Sequence, residues 1–347
     1  MKRASFYAVS SGIVSLAELH IPSVIKAFAD KNLAELKALG SCSFTGKGSH
    51  LLSERADIMG LPSPSKLGAG GSCHLVPCLD GRIALNLARE DDWELMPAWL
   101  EVERKIDNWD ELSEIVNTRS AKELTIRGRE LGLAIGLDQQ AMPTSEYYRL
   151  HHFGQSQTPK TPPLIVDLSS LWAGPLVGRL LGHMGARVVK VESTSRPDGA
   201  RHGNEEFFET LNGLKEQQSF DLQSAKAMAD FKSLIENADI VIEASRPRAL
   251  RQMDIVAEHM ISKRPGKVWL SITAYGRAEP EGNWIGFGDD IGVDAGLSFG
   301  KDHFCGDAIA DPLTGISGAL AVWQTWVNGG GCLIDLSMRD VVRSALC

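Results

Sequence analysis

The stretch Leu164–Ser193, LIVDLSSLWAGPLVGRLLGHMGARVVKVES, decides the fold class. It opens on a short apolar run, LIVDLSS, of the length and composition of a buried strand. Gly174-Pro175 then starts GPLVGRLLGHMGA, whose apolar residues recur at helical spacing. RVVKVES is a second strand. Strand, helix and strand in this order make a βαβ unit, which needs a parallel sheet with helices packed on its faces. The alternation continues downstream: AKAMADFKSLIENA as a helix, DIVIEAS as a strand, and RALRQMDIVAEHMISKRP as one long helix. KVWLSITAYG follows as a strand, and CLIDLSMRDVVRSALC as a strand and the start of a helix. Residues 162–347 are therefore expected to form a doubly wound α/β domain.

The pattern upstream is different. SVIKAFADKNLAELKALG carries Val24, Ile25, Phe28, Leu33, Leu36 and Leu39 at helical spacing. KLGAGGSCHLVPCLDGRIALNLA reads as a glycine loop (Gly68, Gly70, Gly71) followed by two strands joined at a tight Asp80-Gly81 turn. EDDWELMPAWLEVE and NWDELSEIVNTRSAKELTIRGRELGL read as helices, with Thr118 as the expected cap of the last. Residues 1–141 are thus expected to be a small α+β unit. The polar, proline-containing segment 142–161 reads as a linker. The first twenty residues have an apolar middle, but Glu18 and His20 interrupt it and no small-residue cleavage pattern follows, so they read as an ordinary first segment.

Composition narrows the function. The 347 residues are 43% hydrophobic and 23% charged, ordinary for a soluble globular protein, and no apolar run approaches the ~20 residues that span a bilayer. A net charge of −8 argues against a nucleic-acid partner, which needs a basic surface. Six scattered cysteines without a CxxC pair argue against a disulfide framework or a zinc site and fit a reducing cytoplasm. The histidines form no HExxH or HxH pair, so metal chemistry is not expected.

Several loops carry candidate chemistry. The SSLWAGP turn opens a helix, where free backbone N–H groups suit an anion, but it lacks the GxGxxG and GxxxxGK[ST] patterns. VESTSRPDGARHG brings Glu192, Arg196, Asp198 and Arg201 together after a strand. EASRPRALRQ does the same for Arg246, Arg248 and Arg251. Ligands of doubly wound sheets bind outside the carboxyl ends of the strands, so two basic loops there suit a polyphosphate. GFGDDIGVDAGLSFG supplies Asp289, Asp290 and Asp294. IADPLTGISGALAVW sets Asp311 before Pro312, as either a helix cap or a carboxylate nucleophile aimed into a pocket. The local pattern leaves both readings open.

Taken in order, these blocks resemble the class III CoA-transferase family, which includes the carnitine-CoA and formyl-CoA transferases and is related to the α-methylacyl-CoA racemases. The resemblance runs through LIVDLSSLWAGPLVGRLLGHMGARVVKVESTSRPDGAR, NGLKEQQSFDLQS, ADIVIEASRPRAL, VWLSITAYGR, FGDDIGVDAGLS, ADPLTGISGALAVW and IDLSMRD. It implies that Asp311 is the nucleophile of an acyl-CoA:carboxylate CoA-transferase working through an aspartyl anhydride and an aspartyl-CoA thioester. It also implies no metal or redox cofactor, with the CoA thioester as substrate, and an interlocked homodimer. Trp172, Ala173, Arg196, Arg201, Arg246, Arg248 and Arg251 are the implied CoA contacts. The LGAGGSCHLVPCLDGRIALNLA block is similar to the family's small domain, but it precedes the large domain where ordinary members have it following. The expectation is a permuted chain, or a piece of a longer one, with Gly68, Gly70 and Gly71 closing over the thioester. The sequence departs from the family at Ser193 and Ala244. It also has Asp289 where racemases place a histidine, which disfavours racemisation. An acyl-CoA racemase or epimerase using Asp311 with Asp289 as second acid/base, and a CoA-binding paralogue without turnover, are the alternatives.

Overall fold

In the computed structural model, residues 20–347 are described; the first segment, read above as ordinary, lies outside them. Among the described residues, ten strands build two sheets. β1 (Cys73–Cys78), β2 (Gly81–Asn86) and β3 (Ala134–Leu137) form an antiparallel sheet in the order β1-β2-β3. β1 and β2 are the expected hairpin, paired from Cys73 opposite Asn86 to Cys78 opposite Gly81. The larger sheet contains β4 (Tyr148–His152), β5 (Leu164–Asp167), β6 (Arg187–Ser193), β7 (Glu216–Phe220), β8 (Ile240–Glu243), β9 (Val268–Thr273) and β10 (Cys332–Ser337). Their spatial order is β4-β10-β9-β8-β5-β6-β7, all parallel except β4.

The period-2 geometry of a strand explains why the inner strands β5, β8, β9 and β10 are largely apolar on both faces. Ile165, Ile240, Ile242, Leu270, Ile272, Ile334 and Leu336 enter one core, with the helices Ala173–His183 and Ala310–Val327. Their neighbours Val166, Val241, Trp269 and Leu333 enter the core on the opposite face, with Phe231, Ile235 and Ile261. The two helices of the first core cross closely. A Cβ at Gly315 would stand 2.7 Å from the Leu176 side chain, so the small residues after Asp311 serve helix contact. Ser317 in the same stripe accepts a hydrogen bond from Asn32 Nδ2 at 3.0 Å.

Four expectations need correction. The segment 142–161 contains β4, which lies antiparallel on the exposed edge of β10; an edge strand facing solvent carries no apolar alternation to reveal it. RALRQMDIVAEHMISKRP is two helices, Pro247–Arg251 and Ala257–Lys263, separated at Asp254, whose φ of 58° cannot continue a helix. The helix Ala121–Leu131 is capped at Ser120, not Thr118. Its first amide donates to Asp80 of the hairpin turn at 2.7 Å, a partner remote in sequence. EDDWELMPAWLEVE is a 3-10 turn, Glu90–Leu95, running into the short helix Met96–Trp99.

The core around the small sheet draws on Val76, Ile83, Leu85, Trp99, Leu124 and Ile135. The helix Ser23–Ala38, grouped above with the small unit, instead buries Ile25, Ala29, Leu33 and Leu36 in the core of the large sheet. The helix Gly288–Asp294 joins the two sheets: Asp294 Oδ1 accepts from Leu137 N of β3 at 3.1 Å and pairs with Arg129.

Candidate active site

The site begins at the turn after β5. Leu171 holds a left-handed φ of 68°, and its N–H donates to Asp198 Oδ1 at 3.0 Å. Asp198 is buried and ion-paired to Lys190 of β6 at 2.7 Å. Beside them Lys215 bridges Asp167 of β5 and the carbonyl of Pro175 in the first helical turn, each at 2.8 Å. Buried charges persist only when paired, and here the pairing fixes the turn that delivers Trp172 and Ala173. A residue this strained, held this firmly, belongs where geometry matters. Trp172 is buried edge-on against Phe207, with ring centroids 5.3 Å apart.

Four aspartates cluster between residues 289 and 311, and two of them, Asp289 and Asp311, share a cavity with Trp172. Asp311 sits in the first turn of Ala310–Val327, whose N-cap is Ile309, so it is not the cap that one local reading allowed. Burial pushes its carboxyl up to about 6, with Arg55 opposing, Asp307 reinforcing, and the backbone amides of Gly288 and Ala173 opposing. Glycine is required at 288: a Cβ there would fall 2.2 Å from the Ala308 carbonyl and 2.4 Å from Asp311 Oδ2. Asp289 is buried, accepts from Ala308 N at 2.9 Å, and is pushed up to about 7 by burial and by Asp307. Asp290 accepts from Phe287 N at 3.0 Å and from Asn86 Nδ2 at 3.3 Å, and burial carries it to about 8. Asp307 is fully buried and held by a two-pronged contact from Arg55, whose Nε donates to Oδ2 at 2.8 Å. The Arg55 guanidinium also lies 5.0 Å from the centre of the Trp172 ring.

Asp311 stands between two cavities. One, of about 190 Å³, runs from Asp311 past Ala173 and Gly174 to Ala244, Ser245 and Arg246. The other, of about 260 Å³, is lined by Arg55, Gly70, Trp172, Phe207, Asp289 and Asp311, among others. Leu171 and Phe287 border both.

The expected CoA arginines do not form one group. Arg246 lines the first cavity, its guanidinium pushed down by burial and by neighbouring Arg248, Arg89 and Arg196. Arg201 is turned away to Glu192 and Gln217, with hydrogen bonds of 2.8 Å and 2.6 Å. Arg251 is paired with Glu258 at 2.7 Å and borders a separate surface cleft. Of the glycine loop, Gly70 lines the Asp311 cavity and Gly68 abuts Asp289, where a Cβ would stand 2.6 Å from Oδ2; Gly71 faces open space with φ 83°. This segment lies more than two hundred residues from Asp311 in sequence, yet Gly70 lines its cavity and Gly68 meets Asp289 at that cavity's wall. Arg55, Lys190, Lys215 and Asn86 were not singled out by sequence. Each sits in an ordinary run, and only the buried carboxylate it meets gives it a role. Among the described residues, no cluster of three or more His, Cys, Asp or Glu side chains is arranged to hold a metal ion, and no helix is long and apolar enough to cross a membrane.

The helix Ala310–Val327, packed on the parallel sheet, thus holds in its first turn a half-buried aspartate between two cavities. The model of CoA-transferase family III matches residues 164–346, just over half of the chain, and the chain belongs to that family. It is 27% identical over 214 residues to a succinate–glutarate CoA-transferase of Agrobacterium fabrum, covering 54% of each chain. It is 30% identical over 196 residues to a probable fatty acyl-CoA transferase of Mycobacterium tuberculosis, covering 51% of this chain and 50% of that one. The crystal structure of a CaiB/BaiF family protein from Brucella suis matches with a TM-score of 0.50 and 26% identity over 56% of each chain. The chain spans about half the length of the curated relatives it matches.

Proposed function

We propose that this protein is an acyl-CoA:carboxylate CoA-transferase with Asp311 as its nucleophile. The observation that carries the reading is the placement of Asp311, a carboxylate at the junction of a basic cavity and a largely apolar one, faced by two backbone amides. A carboxyl raised to about 6 is still mostly ionised at neutral pH, while its half-buried position between the two cavities removes part of the water that would weaken its attack.

In the proposed cycle, an Asp311 oxygen attacks the thioester carbonyl, the C–S bond breaks, and CoA leaves as the thiolate with an acyl-aspartyl anhydride behind it. The thiolate then attacks the aspartyl carbonyl, expelling the donor carboxylate and leaving aspartyl-CoA thioester. The acceptor carboxylate attacks that carbonyl and releases the thiolate, which finally attacks the acceptor's own acyl carbon. Acceptor-CoA departs and Asp311 is regenerated, with no net proton change. At each attack on the aspartyl carbonyl, negative charge develops on an oxygen next to the Gly288 and Ala173 amides, which are already oriented to receive it. Arg246, with Arg196 and Arg248, supplies the charge for the CoA phosphates, and no metal or redox group enters the cycle.

Closure of the glycine loop over the site is part of the same proposal, supported by Gly68 against Asp289 and Gly70 in the cavity. In this reading the glycine loop and the three-stranded sheet with its helices, up to Leu137, serve as the family's small domain despite preceding the large one. Incubation with acyl-CoA followed by hydroxylamine tests the reading: trapping as a hydroxamate at Asp311 supports it. Full transfer activity in Asp311→Ala would overturn it. Incorporation of solvent deuterium at the acyl α-carbon without trapping would favour racemisation instead.

A further inference from the structure

The two cavities at Asp311 differ in charge, and the difference selects the acyl group. The Arg246 side is basic: Arg246 lines that cavity, Arg196 and Arg248 (the latter bordering the neighbouring surface cleft) stand near enough to push its guanidinium down, and among the described residues none of the three has an ion-pair partner. The opposite cavity is walled mainly by Met59, Ala88, Trp172, Phe207, Phe287 and Ala308; of its neutral polar side chains, Asn86 is engaged with Asp290, Asn204 with the Phe207 amide, and Ser72 carries no charge. Its one cation, Arg55, already has two donor atoms committed to Asp307 and its face set toward Trp172. Its other charged groups are Asp289 and Asp311 themselves. An acyl chain carrying a second carboxylate would thus enter a pocket with acidic groups in its wall and no cation to spare. Leaving that carboxylate unpaired there is costly, whereas an apolar chain gains from every methylene it buries.

Resting on the transferase reading above, we propose that the cavity between Arg55 and Phe207 accepts the acyl part of a monocarboxylic, apolar acyl-CoA and discriminates against ω-carboxylated acyl-CoAs, with the CoA phosphates on the Arg246 side. Arg55 is then a positioning residue that holds Asp307 and the Trp172 wall; it is not a carboxylate receptor.

The test compares two unreactive thioethers of equal chain length, S-hexyl-CoA and S-(5-carboxypentyl)-CoA, by calorimetry at pH 8, where Asp289 is mostly ionised. S-hexyl-CoA is expected to bind at least ten-fold tighter. Met59→Arg, which adds a cation at the edge of the same cavity, is expected to shrink that ratio several-fold while leaving binding of free CoA unchanged. Equal or tighter binding of the carboxylated thioether to the native protein overturns the acyl-class proposal while the transferase reading survives. A ratio untouched by Met59→Arg also overturns it, because the discrimination would then arise elsewhere. Failure of free CoA and both thioethers to bind overturns the transferase reading along with it.

Discussion

Replacing Arg55 with methionine keeps much of the side-chain volume and removes the cation that opposes burial at Asp311. After desolvation, Arg55 is the strongest influence on the Asp311 carboxyl, and it acts downward; Asp307 comes next and acts upward. Loss of Arg55 therefore raises Asp311 above about 6. A one-unit rise corresponds to about 1.4 kcal/mol, and its effect on the ionised fraction is strongly pH-dependent. At pH 6 the reactive carboxylate drops from roughly one half to one tenth, about five-fold; at pH 7 the drop is about two-fold, and at pH 8 it is negligible. Asp307, left fully buried without its partner, destabilises the fold. The cost is about 2 kcal/mol, below the usual figure for a broken buried pair because the Arg55 side chain retains 24% exposure. The assay is exchange of labelled hexanoate into hexanoyl-CoA across pH 5–8.5, in which donor and acceptor are the same compound. Arg55→Met should move the acid limb upward. The double variant Arg55→Met/Asp307→Asn removes the opposing charge too, and its limb should lie between the native protein and the single variant. An acid limb that stays at the native position in Arg55→Met, or a double variant displaced as far as the single, would refute the electrostatic reasoning.

Other consequences can be measured independently. Asp311→Asn keeps shape and removes the proposed nucleophile, so hexanoate exchange should fall by at least about 10³-fold while S-hexyl-CoA binding changes little; comparable losses in both would point to a collapsed pocket. Gly288→Ala pushes a methyl group into the Ala308 carbonyl and Asp311, and should reduce exchange at least about ten-fold through displacement of the facing amide; native rates would remove Gly288 from the site. Gly315→Val overfills the crossing with Leu176 and should cost about 1–3 kcal/mol in denaturant unfolding, an effect that unchanged midpoints would contradict. Asp290, carried to about 8, binds a proton in the folded chain that it releases in the unfolded one between about pH 4 and 8. The folded state holds more protons there, so this group makes stability fall as pH rises, by up to about 1.4 kcal/mol per unit. Asp290→Asn should flatten that slope and be the more stable protein at pH 8; parallel pH–stability curves for the two proteins would contradict it.

How much of this was legible beforehand depended on whether the signal was local. The βαβ unit of Leu164–Ser193 announces itself because a parallel strand buries both faces, so Ile165 and Val166 must both be apolar although they enter different cores. β4 and β7 leave no such trace: an edge strand buries little, and YRLHH and EQQSF look like loop. The hairpin at Asp80-Gly81 was visible from its turn residues, but the role of Asp80 in holding the start of Ala121–Leu131 was not, because the two are 41 residues apart. The site divides in the same way. Asp311 stood out only through the order of the motifs around it, since an aspartate followed by proline at a helix start has a simpler reading that the structure turned out not to use. Arg55 could not be found at all from sequence: ERADIMG is an unremarkable turn of helix, and its meaning lies in Asp307, 252 residues away. Sequence thus reveals groups that shape their own neighbourhood and misses those whose function is to neutralise a distant charge. Arg55 is of the second kind, since it pairs with Asp307 and opposes the burial that raises Asp311.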